Sequence, residues 1–335
     1  MTDVTTPPRK VRGISLFSGG LDSMLAVCVL RDQGIEMDGL VFKSPFFSPE
    51  GAIKAAKHLG ITLHILDFTE TILGLVRNPP HGFGGAMNPC IDCHANMIAA
   101  AGAFMREHGY DFVSTGEVLN QRPMSQNRRS LDTVAKSSGL EGYLIRPLSA
   151  QLLDPSIPEQ DGRVDRSRLC AIQGRNRQPQ MELVQRFGIK EFPSPAGGCL
   201  LTEKGFCRKL RDLFDHTDGI PEVRDVELMK YPRQFRLPDG GRIIVGRNRD
   251  DNKRLKALAA KENRTILHTV NIPGPTALVI GEIPESDLQR AAAIISNYGD
   301  KGALTEIIVK VITPTETKEV TVQPLPRETY EPWML

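Results

Sequence analysis

Short apolar runs alternate with helical spacings along the first half of the chain. Gly13–Phe17 (GISLF) predicts a strand that ends in a Ser-Gly-Gly turn, and Leu21–Leu30 predicts the helix after it. Met37–Phe42 and Thr62–Leu66 read as strands, with a helix over Pro49–Leu59 between them. A helix over Ile91–His108 and a strand over Phe112–Thr115 follow. Strands this short and this apolar, alternating with helices, predict an α/β fold: a doubly wound parallel sheet covered on both faces. Such sheets bind ligands at the carboxyl ends of their strands.

The pattern changes after residue 150. Residues 151–180 are polar and rich in Pro, Arg and Gln, and read as an insertion or a nucleic-acid-facing loop. Pro193–Gly198 (PSPAGG) is a turn cluster, and Thr202–Phe214 reads as a helix with Thr202 as its N-cap. Strand-like Arg242–Val245 and Ala277–Ile280, a helical Ser286–Ser296, and a strand pair over Glu306–Ile312 and Lys318–Val322 predict a smaller α+β domain. The expected organisation is a catalytic domain over 1–215, a second domain over 220–325 and an extended tail over 326–335.

Composition narrows the class. At 335 residues, 40% hydrophobic and 24% charged, the chain suits two ordinary globular domains. No run approaches the roughly 18 apolar residues of a membrane span. The start, MTDVTTPPRKVRG, lacks the apolar run of a signal peptide. Six cysteines are too few for a disulfide scaffold, so a cytoplasmic protein with free, metal-bound or catalytic thiols is expected. The net charge of +2 hides an asymmetry. Residues 120–177 carry 10 basic against 6 acidic side chains, and 204–264 carry 16 against 10. Two basic zones can flank one polyanion, although a solvated surface explains the same counts.

Two constellations carry chemistry. Ser18-Gly19-Gly20-Leu21-Asp22-Ser23 lies between a strand and a helix. Its glycines let the backbone turn and expose N–H groups, and the helix start adds unpaired donors for phosphate. It has no Walker lysine. Asp22 beside an anion suggests a divalent cation or a role in orienting the loop. The second constellation is Asn88-Pro89-Cys90-Ile91-Asp92-Cys93, with Cys199 far away in Pro195-Ala196-Gly197-Gly198-Cys199. Cys90 and Cys93 fall about one helical turn apart. Zinc, a persulfide pair and a three-cysteine iron–sulfur cluster all remain open on the residues alone, and the cluster accounts for all three thiols. Cys28 reads as plain core.

Strand–SGGLDS–helix resembles the phosphate loop of the PP-loop ATP pyrophosphatase superfamily, the adenine nucleotide alpha hydrolase-like fold. Those enzymes split ATP between the α and β phosphates. The order SGGLDS, NPCxxC, then a distant PxxGGC resembles the tRNA thiouridine synthetases, both 2-thiouridylases and 4-thiouridine synthetases. Persulfide-using members carry NPDxxC, so Cys90 departs from them and matches the cluster-dependent branch. The resemblance implies ATP bound by Ser18, Gly19, Gly20, Leu21, Asp22, Ser23, Lys43 and Gly116, with Mg²⁺. It implies a 4Fe–4S cluster on Cys90, Cys93 and Cys199, a tRNA substrate near Arg122, Arg128 and Arg129, and a sulfide or persulfide donor. Gly246-Arg247-Asn248-Arg249 and its surroundings, roughly 222–325, resemble the RNA-binding domain of NFACT proteins, which implies that Arg247 and Arg249 meet RNA phosphates. A sulfur transferase for a small molecule, and a non-catalytic RNA-binding or redox-sensing relative, are the alternatives. A homodimer is compatible with the sequence.

Overall fold

The computed structural model describes residues 9–194, 198–300 and 302–335. The chain divides into two compact units, residues 1–203 and 204–335. The helix predicted to close the first domain falls in the second.

The first unit is built on β1 (Arg12–Leu16), β2 (Glu36–Lys43), β3 (Leu63–Asp67), β4 (Phe112–Thr115) and β5 (Leu144–Ile145). Their order in the sheet is β3-β2-β1-β4-β5, and every pairing is parallel. The connecting helices are α1 (Leu21–Arg31), α2 (Glu50–Leu59), α3 (Thr69–Arg77), α4 (Cys90–His108), α5 (Arg128–Ser137), α6 (Ile157–Gln160) and α7 (Gln178–Phe187). Successive side chains of a strand face opposite ways. On one face Met37, Val41 and Phe112 join α1 and α7 residues in a single apolar cluster. The alternate residues Ile14, Leu40 and Val113 are equally buried, and α4 packs on β1 and β4. Both faces are therefore covered, as a continuous apolar strand requires. The sheet order reverses direction between β1 and β4, and that switch point is where such folds leave a crevice.

Residues 151–180 are not simply a surface loop. Val164, Leu169 and Ile172 are buried in the main cluster, and Gln180 on α7 is fully buried. Their apolar side chains are single residues among polar ones, so composition masks them. Thr202 is not an N-cap. It lies in a short 3-10 turn, Leu200–Thr202, and its hydroxyl donates to the Cys199 carbonyl at 2.7 Å.

The second unit contains α8 (Lys204–Asp215), α9 (Val223–Leu228), β6 (Gln234–Arg236), β7 (Arg242–Val245), α10 (Arg249–Glu262), β8 (Ile266–Thr269), β9 (Thr276–Ile280), α11 (Glu285–Asn297), β10 (Ile307–Ile312), β11 (Thr317–Val322) and α12 (Arg327–Tyr330). Its six strands form an antiparallel sheet in the order β11-β10-β8-β9-β7-β6. The tail is not extended throughout. Arg327–Tyr330 is helical, and the buried ring of Tyr330 anchors it in the apolar cluster. No helix among the described residues is long and apolar enough to cross a membrane.

Candidate functional site

The phosphate-type loop leaves β1 at the switch point. Gly19 has φ +77°, and a Cβ there would lie 2.5 Å from the Gly51 carbonyl oxygen, so glycine is required twice over. Gly20 precedes α1 and offers no capping side chain, which leaves the first N–H groups of Leu21, Asp22 and Ser23 available to an anion. The Ser23 hydroxyl donates to the Gly20 carbonyl at 2.8 Å, and the Ser18 and Ser23 hydroxyls stand 3.4 Å apart.

The end of β4 presses on this loop. A Cβ on Gly116 would fall 2.6 Å from the Ser23 nitrogen and 2.7 Å from the Asp22 carbonyl carbon. Lys43 ends β2 with its ammonium exposed, 3.4 Å from Asp67. Asp22 is already engaged: Gln121 donates to it at 2.8 Å, and Arg177 and Gln180 reach it at 3.4 and 3.5 Å. These contacts suit a carboxylate that orients the loop. The buried Nε of Arg177 and Oε1 of Gln180 have no partner among the described residues. Arg177 thus brings a cation to a loop that lacks a Walker lysine.

The thiol-bearing helix joins the same rim. Cys90 opens α4, and Asn88 donates to its sulfur at 3.1 Å. One turn on, His94 Nδ1 lies 3.1 Å from Glu117, the residue after Gly116. Glu117 also takes Arg146 Nε at 2.8 Å and the Thr115 hydroxyl at 3.0 Å, with both Glu117 and Arg146 buried. Burial alone would raise this carboxyl, but Arg146 and His94 outweigh it and hold the group well below the usual carboxylate range. Between the thiols, buried Asp92 accepts from the backbone N–H of His81 at 3.0 Å and contacts its ring at 2.5 Å, so residues 79–89 are tied over the start of α4. Cys199 reaches the rim through its neighbour, as the Leu200 N–H donates to the Phe46 carbonyl just beyond β2 at 3.0 Å.

Cys28, Cys90, Cys93 and Cys170 are free thiols. Burial pushes the Cys93 thiol far up, and the nearby Cys199, Cys90 and Asp92 push it further. Three thiols in one electrostatic neighbourhood match the donor chemistry of an iron–sulfur cluster. They are not a ready-made cage: among the described residues, no three His, Cys, Asp or Glu side chains are arranged to hold a metal ion. Pro195, Ala196 and Gly197 of the late motif lie outside the described residues.

The expected RNA-facing residues behave unequally. Arg122 and Arg129 are exposed, with no ion pair among the described residues. Arg128 is committed to Asp154 at 2.5 Å, Asp132 at 3.3 Å and the Leu152 carbonyl at 3.2 Å. In the second unit Arg249 is exposed, and Arg247 lies 3.6 Å from Asp251. Asn248 caps α10 by accepting from Asp251 N–H at 2.8 Å.

Sequence reasoning did not assign His94, Glu117, Gln121, Arg146, Arg177 or Gln180 to the site. The available signal was a charged residue at the end of an apolar strand, separated from β4 only by Gly116 in the case of Glu117 and directly after β5 in that of Arg146. Glu117→Ala would leave Arg146 buried without a counter-charge and is expected to cost about 3–5 kcal/mol of stability. Because the folded carboxyl titrates below its unfolded value of about 4.3, its contribution is present above that pH and fades as pH falls below it. Urea unfolding of wild type and variant at neutral pH and at pH about 4 checks this. The gap between them should be wide at neutral pH and narrower in acid.

Residues 232–334 match the family model described as the NFACT protein RNA binding domain. The tRNA-specific 2-thiouridylase MnmA of Pelobacter propionicus is 30% identical over 151 residues, 41% of this chain and 41% of that protein. The enzyme of the same name from Sulfurimonas denitrificans is 33% identical over 112 residues, 30% of this chain and 33% of the relative. A solved 4-thiouridine synthetase–RNA complex with bound ATP aligns at 19% identity and a TM-score of 0.38, over 65% of this chain and 52% of that one. The chain spans less than half the length of the curated relatives it matches. The resemblance to tRNA thiouridine synthetases is borne out by the two 2-thiouridylases, and the resemblance to the NFACT RNA-binding domain by the family model.

Proposed function

We propose that the chain is an ATP-dependent tRNA thiolation enzyme. One observation carries the reading: the phosphate loop, the glycine after β4 and the elements bearing all three cysteines are tied to one rim of the parallel sheet. The similarity to 2-thiouridylases supports tRNA as the substrate.

A uracil carbonyl oxygen leaves poorly until it carries a better leaving group. In the proposed first step that oxygen attacks the α phosphorus of ATP, the α–β anhydride bond breaks, and pyrophosphate leaves as the N3 proton is lost. Backbone N–H groups of the Ser18–Ser23 loop hold the phosphates, and Arg177 offsets charge growing on pyrophosphate. Mg²⁺ would enter with ATP as part of the substrate and offset charge on the phosphates. Asp22 keeps Gln121 and Arg177 in place, while Lys43 and Gly116 border the nucleotide. In the second step hydrosulfide attacks the activated carbon; a persulfide donor would supply it by exchange with a second thiol, which ends as a disulfide. AMP departs with the original oxygen and N3 regains its proton. Cys90, Cys93 and Cys199 would hold a 4Fe–4S cluster, whose chemistry is to offer an iron with an open position for sulfur. The target base must leave its stack to reach this rim. Arg122 and Arg129, with Arg247 and Arg249, would meet tRNA phosphates and add affinity more than sequence choice.

The test is mass spectrometry of tRNA nucleosides from cells with and without the gene. Loss of one thiolated uridine on deletion is expected. An unchanged set of thiolated nucleosides would reject tRNA thiolation.

A further inference from the structure

We propose that the second unit carries a stacking site for an unpaired RNA nucleotide, built on Arg233 and Tyr298. The proposal rests on reading this unit as RNA-facing and names how the RNA is held. Four planar groups form a column from the core outward. Buried Phe235 meets buried Tyr330 edge-on, with centroids 5.8 Å apart. Tyr330 packs on half-buried Tyr298, also at 5.8 Å. The Arg233 guanidinium carbon then lies 3.9 Å from the Tyr298 ring centre.

The column is fixed at each level. Asn297 donates to the Tyr330 hydroxyl at 2.9 Å. Burial, followed by Tyr330, pushes the Tyr298 hydroxyl up to about 12, so the ring stays neutral. Arg233 donates to the Gly246 carbonyl at 3.3 Å, and no carboxylate pairs with it among the described residues. A guanidinium laid on an aromatic ring is planar, charged and already ordered, so a base can stack on it at little entropic cost.

The surroundings suit a nucleotide. Gly246 leads directly into Arg247 and Arg249, both exposed, which can meet the flanking phosphates. Residues 204–264 carry six more basic than acidic side chains. Bases within a duplex are already stacked and cannot lie on the guanidinium, so the site selects unpaired nucleotides.

The test uses the full chain and fluorescence anisotropy, with an oligouridylate of about 12 nucleotides and an RNA duplex of similar length as probes. Arg233→Lys keeps the charge but loses the plane. It should weaken oligouridylate binding about 5- to 100-fold, leave its salt slope unchanged, and leave duplex binding unaltered. Arg247→Ala should instead lower the salt slope by about 0.7. Tyr298→Phe, which preserves the ring, should bind as wild type, whereas Tyr298→Leu should not. Wild-type affinity for oligouridylate in Arg233→Lys, or an equal loss on both probes, would overturn the proposal, as would a wild-type chain that binds neither. The readout needs no ATP or sulfur, so it stands apart from any failure of the thiolation reading.

Discussion

Cys93→Ala should abolish thiouridine formation while ATP cleavage on tRNA continues. The two steps use different groups: the Ser18–Ser23 backbone serves the nucleotide, and the thiols serve sulfur. Cys93 is the most informative of the three because it is half-buried and feels both of the others. A half-buried thiol beside further thiols and Asp92 holds its proton tightly. A cationic metal centre that displaces the proton would reverse that penalty. Anaerobically prepared wild type should be brown, and Cys93→Ala, Cys90→Ala and Cys199→Ala should each be pale. Cys28→Ala and Cys170→Ala should match wild type in colour and thiolation. Nucleoside mass spectrometry after reaction with sulfide and ATP reads the outcome, and full thiolation by Cys93→Ala would remove the thiol from the chemistry. A colourless wild type with stoichiometric zinc would replace the cluster with zinc.

The second large effect belongs to Gly116→Ala. The added methyl would lie 2.6 Å from a backbone nitrogen and 2.7 Å from a carbonyl carbon of the phosphate loop. No flexible side chain can move aside, so either the loop or the end of β4 must shift. A displacement near 1 Å at a phosphate site costs about 10²-fold in rate. Pyrophosphate release at saturating tRNA should fall by about that factor, while the second unit, which does not contain the substitution, keeps its affinity for oligouridylate. A variant with wild-type turnover would separate the end of β4 from nucleotide binding.

The parts of this site that were legible in the sequence are those that local rules determine. Glycine and serine between an apolar run and a helical spacing announce a phosphate loop, and two cysteines three residues apart after Pro89 announce a shared face. Gly116 came from the resemblance, which implies a nucleotide beside it, and not from a local rule. The rest depends on long-range pairing. Glu117 and Arg146 are 29 residues apart and become partners only because β4 and β5 are neighbours in the sheet. Gln121, Arg177 and Gln180 meet at Asp22 through the packing of α7 on α1. The polar composition of 151–180 concealed Val164, Leu169 and Ile172, whose burial depends on neighbours far away in the chain. The tail was read as extended because its prolines were visible and the pocket for Tyr330 was not.

The central claim is that ATP is split at the α–β bond to exchange a uracil oxygen for sulfur. The most direct measurement follows labelled ATP and tRNA nucleosides together, in an anaerobic reaction of the full chain with unmodified tRNA and sulfide. One AMP and one pyrophosphate for each thiouridine formed is the predicted result. ADP and phosphate as the products, or AMP accumulating with no thiouridine at any time, would contradict it.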